Sequence, residues 1–160
     1  NIIINHPGET IQSFNETFEF AKRISEKVDL VNLNYNLMRN FPGTPLYCNL
    51  DYYRETYGSE FYFLDWWKYK EQLDYGLTCI RPSKNLSLRE ILNLYRDSYI
   101  ELQELNIKHL KESKNRLEDY FVKIMYEKNK ITFLENLIKN MIEFLDAHEI
   151  EIESKHERES

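Results

Sequence analysis

The sequence predicts an α/β fold with a parallel βαβ unit at the front and helices behind it, and three observations predict it. Ile2, Ile3 and Ile4 are consecutive β-branched residues ahead of a Pro-Gly turn, the pattern of a short strand buried on both faces in a parallel sheet. Residues 29–37 alternate Val31, Leu33, Tyr35 and Leu37 with Asn32, Asn34 and Asn36, a period of two that marks a second strand. From Asn85 onward the apolar residues return at helical spacing instead.

The composition sets the bounds. The chain has 160 residues, 42% hydrophobic, 14% aromatic and 30% charged, with four glycines and four prolines. That is the balance of one folded domain able to bury a core. The net charge of −6 argues against a nucleic-acid footprint and against a cationic membrane surface. No stretch approaches the roughly 20 apolar residues of a membrane span, and no basic-then-apolar leader is visible. A cytoplasmic, reducing setting is expected. Cys48 and Cys79 are too few and too far apart to build a zinc or iron-sulfur cage, so no metal ligand is assigned.

Between the two strands, Thr10 is placed to cap a helix in which Ile11, Phe14, Phe18, Ala21 and Val28 repeat at helical intervals, giving a helix over residues 10–27. Strand, helix and strand within 37 residues make a βαβ unit. Two parallel strands alone are not a stable sheet. This portion therefore reads as part of a larger one. The apolar side of the second strand belongs against a helix, which leaves Asn32, Asn34 and Asn36 on the other face. Either they line a polar, ligand-holding cavity or the strand is an edge and they face water.

The connecting turn carries its own chemistry. Pro7 fixes φ and removes a donor, while Gly8 permits a left-handed backbone or a close approach. Glu9 stands where a carboxylate favours the positive end of the following helix. His6 could reach a ligand at the strand end or simply bond a backbone carbonyl. A tight capped connection with no ligand is the competing reading of the whole turn.

The run Ile3-Ile4-Asn5-His6-Pro7-Gly8-Glu9-Thr10, with Phe14, Thr17 and Phe20-Ala21-Lys22 after it, resembles the fifth strand and following turn of radical S-adenosylmethionine enzymes. Asn40-Phe41-Pro42-Gly43-Thr44-Pro45-Leu46-Tyr47 is similar to the Pro-Gly-Thr-x-Leu-Tyr element after the sixth strand of that family. The branch most resembled is the one with a cobalamin-binding domain. The resemblance spans roughly residues 1–110 and is strongest through residue 47.

The resemblance implies the last βαβ portion of a partial (βα)6 barrel. A Cys-x-x-x-Cys-x-x-Cys loop on an earlier strand would hold a 4Fe-4S cluster, S-adenosylmethionine would bind its open iron, and a 5′-deoxyadenosyl radical would attack a small-molecule substrate. No such loop is in this sequence, so the cluster ligands would lie in the N-terminal part of the barrel. By the same resemblance Ile4, Asn5, Pro7, Gly8 and Glu9 lie beside the adenosyl group. In that family a Gly-x-Ile-x-Gly-x-x-Glu strand lies beside the adenine; Ile4 and Glu9 correspond to its Ile and Glu, and Asn5 and His6 stand where the pattern has a small residue.

Residues 48–84 are rich in aromatics, among them Tyr52, Tyr53, Tyr57, Phe61, Trp66 and Trp67. They suit either a cap lining an apolar pocket or the core of a small subdomain. Residues 85–148 form an α-helical extension. Ser87-Leu88-Arg89-Glu90 is a capping box that opens its first helix, Leu117 to Met125 mark a second, and Leu134 to Leu145 a third. Residues 149–160 are a charged tail expected to fray. Two functions follow as expectations: residues 1–47 as the C-terminal part of a radical S-adenosylmethionine enzyme, incompetent alone, or the helices as a non-enzymatic interaction module.

Overall fold

The computed structural model describes residues 2–27, 35–62, 64, 79–112 and 120–159. Strand β1 (Ile2–Ile4) is followed by helix α1 (Ile11–Lys27), strand β2 (Tyr35–Leu37), the short helices α2 (Pro45–Cys48) and α3 (Leu50–Tyr57), and strand β3 (Glu60–Tyr62). Strand β4 (Cys79–Arg81) and the long helices α4 (Leu88–Glu112) and α5 (Tyr120–Glu159) complete the order. The architecture is mixed α/β, mostly helical, with two small sheets.

β1 and β2 pair in parallel, Ile2 with Tyr35, Ile3 with Asn36 and Ile4 with Leu37. This is the βαβ unit that the alternating residues predict. Its faces are unequal. Ile4, Tyr35 and Leu37 are buried in one cluster with Phe14 and Ala21 of α1, Leu88, Ile91, Leu92, Tyr95 and Leu102 of α4, and Leu134, Ile138 and Met141 of α5. Ile3 is 48% exposed and its partner Asn36 is exposed too. Helices α1, α4 and α5 therefore cover one face, while Ile3 and Asn36 stand exposed on the other. Ile3 was expected in a strand buried on both faces; the period of two puts it on the face opposite this core.

α1 begins where Thr10 predicts. The Ser13 N–H donates to Thr10 Oγ1 at 3.1 Å and the Thr10 N–H to Ser13 Oγ at 2.9 Å, a reciprocal cap of the capping-box kind with serine in the third helical position. Its buried residues Phe14, Ala21 and Ser25 share one face, and Lys22 reaches Glu101 of α4 at 2.6 Å. α4 opens with the expected capping box: the Ser87 N–H donates to Glu90 Oε2 at 2.8 Å and the Glu90 N–H to Ser87 Oγ at 3.2 Å. Hydrogen bonding from Ser87, side chain and backbone, draws the Glu90 carboxyl below its ordinary 4.5.

Two expectations for the helical region change. The second and third helices are one, α5, because no Gly or Pro interrupts residues 126–133 between the two apolar stripes. The tail expected to fray is helical in backbone through Glu159, since its Glu, Lys and Arg residues are good helix formers. Arg89 and Asp146 form an ion pair that ties α5 to the start of α4.

The aromatic segment holds structure that its residues did not predict. β3 and β4 pair antiparallel, Glu60 with Arg81 and Tyr62 with Cys79. A second small core of Leu46, Phe61 and Ile80, with Met38, Leu50, Tyr53 and Leu64 against it, sits beside this hairpin. Phe61 and Tyr53 are thus packing residues, while Tyr52 and Tyr57 are 56% and 40% exposed. Phe63, Trp66, Trp67, Tyr69 and Tyr75 lie outside the described residues.

Candidate functional site

Because β1 and β2 run parallel, the two Pro-Gly turns that follow them emerge at the same end of the sheet. In open parallel sheets ligands bind at that carboxyl end. The Met38 N–H donates to the Ile4 carbonyl at 2.8 Å, so the ladder continues into the base of both turns.

The first turn is tightly determined. Asn5 takes a left-handed φ of 69° and is 1% exposed. Its N–H donates to the Glu9 carboxylate, the His6 N–H adds a second bond to the same group, and the Glu9 N–H returns to the His6 carbonyl at 2.9 Å. The glutamate thus fills a cradle of successive backbone N–H groups made by its own loop. Burial raises the Glu9 carboxyl above its ordinary 4.5, against the smaller opposing pull of the Asn5 and His6 bonds and the nearby imidazole.

The far side of the turn is held from a distance. The Gly8 N–H donates to the Pro82 carbonyl at 2.6 Å, Ser83 Oγ donates to the Glu9 carbonyl at 3.0 Å, and Ser59 Oγ donates to the same Pro82 carbonyl at 2.7 Å. Gly8 has a φ of 86°, and a Cβ there would lie 2.7 Å from Cδ1 of Tyr57. Only glycine lets that ring close over the turn.

The second turn is built by Thr44. Its hydroxyl donates to the Phe41 carbonyl at 2.7 Å and accepts the Tyr47 N–H at 3.3 Å, capping α2. Pro45 stands in the first helical turn, where its missing N–H costs nothing. Gly43 takes a φ of 81° with open space around it.

Of the residues predicted for the site, Asn5, Pro7, Gly8 and Glu9 are together in this turn. Ile4 precedes them with its side chain fully buried among the helices, so only its backbone faces the strand ends. Glu9 points inward and not toward an outside ligand. Asn36 stands on the uncovered face beside Ile3; Asn32 and Asn34 fall outside the described residues. His6 takes the plainer of its two readings, with Nε2 3.1 Å from the Ile3 carbonyl. Among the described residues, no three His, Cys, Asp or Glu side chains gather as metal ligands.

Tyr57, Pro82 and Ser83 were missed. They lie 49 to 75 positions away from Gly8 in the numbering, and nothing local in the sequence signals that they meet it. In the first turn the buried Asn5 side-chain oxygen has no hydrogen-bond partner among the described residues. A buried acceptor without a donor is costly. The arrangement can orient a ligand by backbone and amide groups.

Comparison with known protein families, with curated proteins and with solved structures finds no match. Among the described residues no helix is long and apolar enough to cross a membrane.

Proposed function

We propose that this chain is the C-terminal portion of a radical S-adenosylmethionine enzyme, supplying the last βαβ unit of its barrel and helping to hold S-adenosylmethionine and substrate. One observation carries the reading: a parallel strand pair with the three long helices α1, α4 and α5 on one face, an asparagine and an isoleucine on the other, and two Pro-Gly turns at one end. A barrel has that asymmetry, with helices outside and a lined interior. Asn36 then belongs to the interior wall, where an amide orients a ligand without titrating.

The fit to an adenosyl group rests on Asn5. Its buried side-chain oxygen lacks a donor, and the exocyclic amine of an adenine is such a donor. Gly8 fits less directly, because Tyr57 already occupies the approach that the glycine allows. When bound, S-adenosylmethionine would supply the radical chemistry. This chain's residues would position it, and the cluster and any cobalamin would be held by other parts of the protein.

The test uses the chain and its longer parent. The chain alone gains no stoichiometric iron-sulfur absorbance on anaerobic reconstitution, and a full cluster on it would sink the reading. In the parent, Asn36→Leu loses S-adenosylmethionine or substrate in equilibrium dialysis while the cluster spectrum stays; unchanged binding removes Asn36 from the interior. A second reading, a helical interaction module, is supported by Met125 and Tyr126, 58% and 59% exposed on α5.

A further inference from the structure

Helix α5 carries two stripes, and one of them faces the core. Ile124, Leu134, Ile138 and Met141 are buried, the last three within the main cluster. On the opposite side of the helix Tyr126, Asn129, Phe133, Asn136 and Asn140 follow one another at intervals of three and four, the spacing of a coiled-coil seam. All five are exposed, Tyr126 by 59% and Phe133 by 52%.

That seam is free of charge on a helix rich in it. Glu127, Lys128, Lys130, Glu135 and Lys139 lie between its first and last residues, and every one falls off its line. Lys130 Nζ stands 4.4 Å from the centroid of the Tyr126 ring and 3.2 Å from Glu127, so charge borders the seam without entering it. Glu143, the next position in the series, ends it. A face turned only to water has no need of such sorting. A face that packs does, because a charge on it would lose its solvent.

The charge along the helix selects the partner and its direction. Residues 120–139 hold four lysines and two glutamates, whereas residues 140–159 hold seven acids against one lysine and one arginine. A second copy of α5 laid antiparallel sets the lysine-rich half of each helix along the acid-rich half of the other; a parallel copy sets acids along acids.

We propose that α5 pairs antiparallel with a second copy of this chain along the seam, around a two-fold axis at Phe133. Such an interface is self-complementary, as a two-fold pair requires. Phe133 meets its own counterpart, Asn129 meets the partner's Asn136, and Tyr126 meets the partner's Asn140. Each amide both donates and accepts, and polar residues within a seam fix its register. At roughly 100 Å² for a half-exposed aromatic and less for an amide, the seam with Met125 at its margin offers about 600 Å² per copy, near the lower limit of about 1,200 Å² for a stable pair. The dimer is therefore weak and reversible. It does not depend on the radical chemistry proposed for the strand ends.

The test is the oligomeric state of the complete chain. Sedimentation velocity from about 5 to 500 μM, a range that brackets a micromolar affinity, shows monomer passing to dimer. Phe133→Glu sets two carboxylates against each other at the axis and weakens the dimer at least about tenfold. Asn136→Glu, at an exposed amide, gives the same loss with the helix content intact by circular dichroism. On a Cys48→Ser background, oxidation of Asn129→Cys chains mixed with Asn136→Cys chains yields disulfide dimers that neither variant yields alone, because like positions lie about 10 Å apart along an antiparallel pair, beyond disulfide reach.

A chain that stays monomeric over that range overturns the proposal. So does a dimer that survives both glutamate substitutions, which uses another surface, or an assembly that grows past two copies. Crosslinking of Asn129→Cys chains by themselves means a parallel pair and overturns the antiparallel arrangement.

Discussion

Replacing Gly8 by alanine separates two costs that the structure places at one residue. The first is conformational: a φ of 86° is left-handed, and an L-residue there is disfavoured by roughly 1–2 kcal/mol. Part of that, about 0.4–1 kcal/mol, is offset because alanine restricts the unfolded chain. The second is steric. The new methyl would stand 2.7 Å from Tyr57 Cδ1 and 3.0 Å from Cε1, so the ring must leave. In leaving it abandons its stacked contact with Tyr53 at 6.3 Å and its edge contact with Tyr52 at 6.4 Å, together about 1 kcal/mol for exposed rings. Gly43 isolates the first cost, since its φ of 81° is nearly the same and nothing lies within 4 Å. Urea unfolding followed by circular dichroism should place Gly43→Ala about 0.5–1 kcal/mol below the parent and Gly8→Ala about 1.5–3 kcal/mol below it. Adding Tyr57→Ala to each should erase the difference between them. Equal losses for the two glycines, or a gap that survives removal of the ring, would refute the packing of Tyr57 over the turn.

Two further outcomes concern buried groups of the core and the turn. The Glu9 carboxyl titrates above 4.5 in the folded chain, chiefly through burial; the folded state therefore binds this proton more tightly than the unfolded one, and the stability it contributes is full below pH 4.5 and lost as pH rises through the folded value. The difference in urea midpoint between the parent and Glu9→Gln should shift in the parent's favour on going from pH 7 to pH 4, and a constant difference would count against the buried carboxylate. Ile138→Ala, at a fully buried position between α5 and the main core, should cost about 2–5 kcal/mol in thermal or urea unfolding, whereas a loss under 1 kcal/mol would mean that α5 is not packed there.

The parts of the fold that were legible are those governed by residues close in sequence. Thr10 and Ser87 announced their helices because a cap needs only the next three positions, and Tyr35, Asn36 and Leu37 alternate because a strand does. The β3–β4 pairing was hidden since Phe61 and Ile80 are partners chosen by packing across a long connection, and short apolar runs there look like any aromatic loop. Glu9 lies in the turn but is aimed otherwise than expected: helix electrostatics alone would leave its carboxylate at the α1 terminus, and the left-handed kink at Asn5 offers it the N–H groups of Asn5 and His6 instead. The break expected inside α5 rested on a gap between apolar stripes, but a polar stretch without Gly or Pro carries a helix through as readily as an apolar one.

The anchoring of the first turn by Pro82 and Ser83 sets an order of assembly. The bond from Ser83 to Glu9 spans 74 positions, and closing a loop of that length costs on the order of 4 kcal/mol of chain entropy beyond a constant. On a ribosome the turn emerges well before β4, yet it waits for that strand before its final shape is fixed. A nascent chain halted before residue 82 would carry every residue of the turn without its clasp, so the strand end matures only once the hairpin behind it has formed.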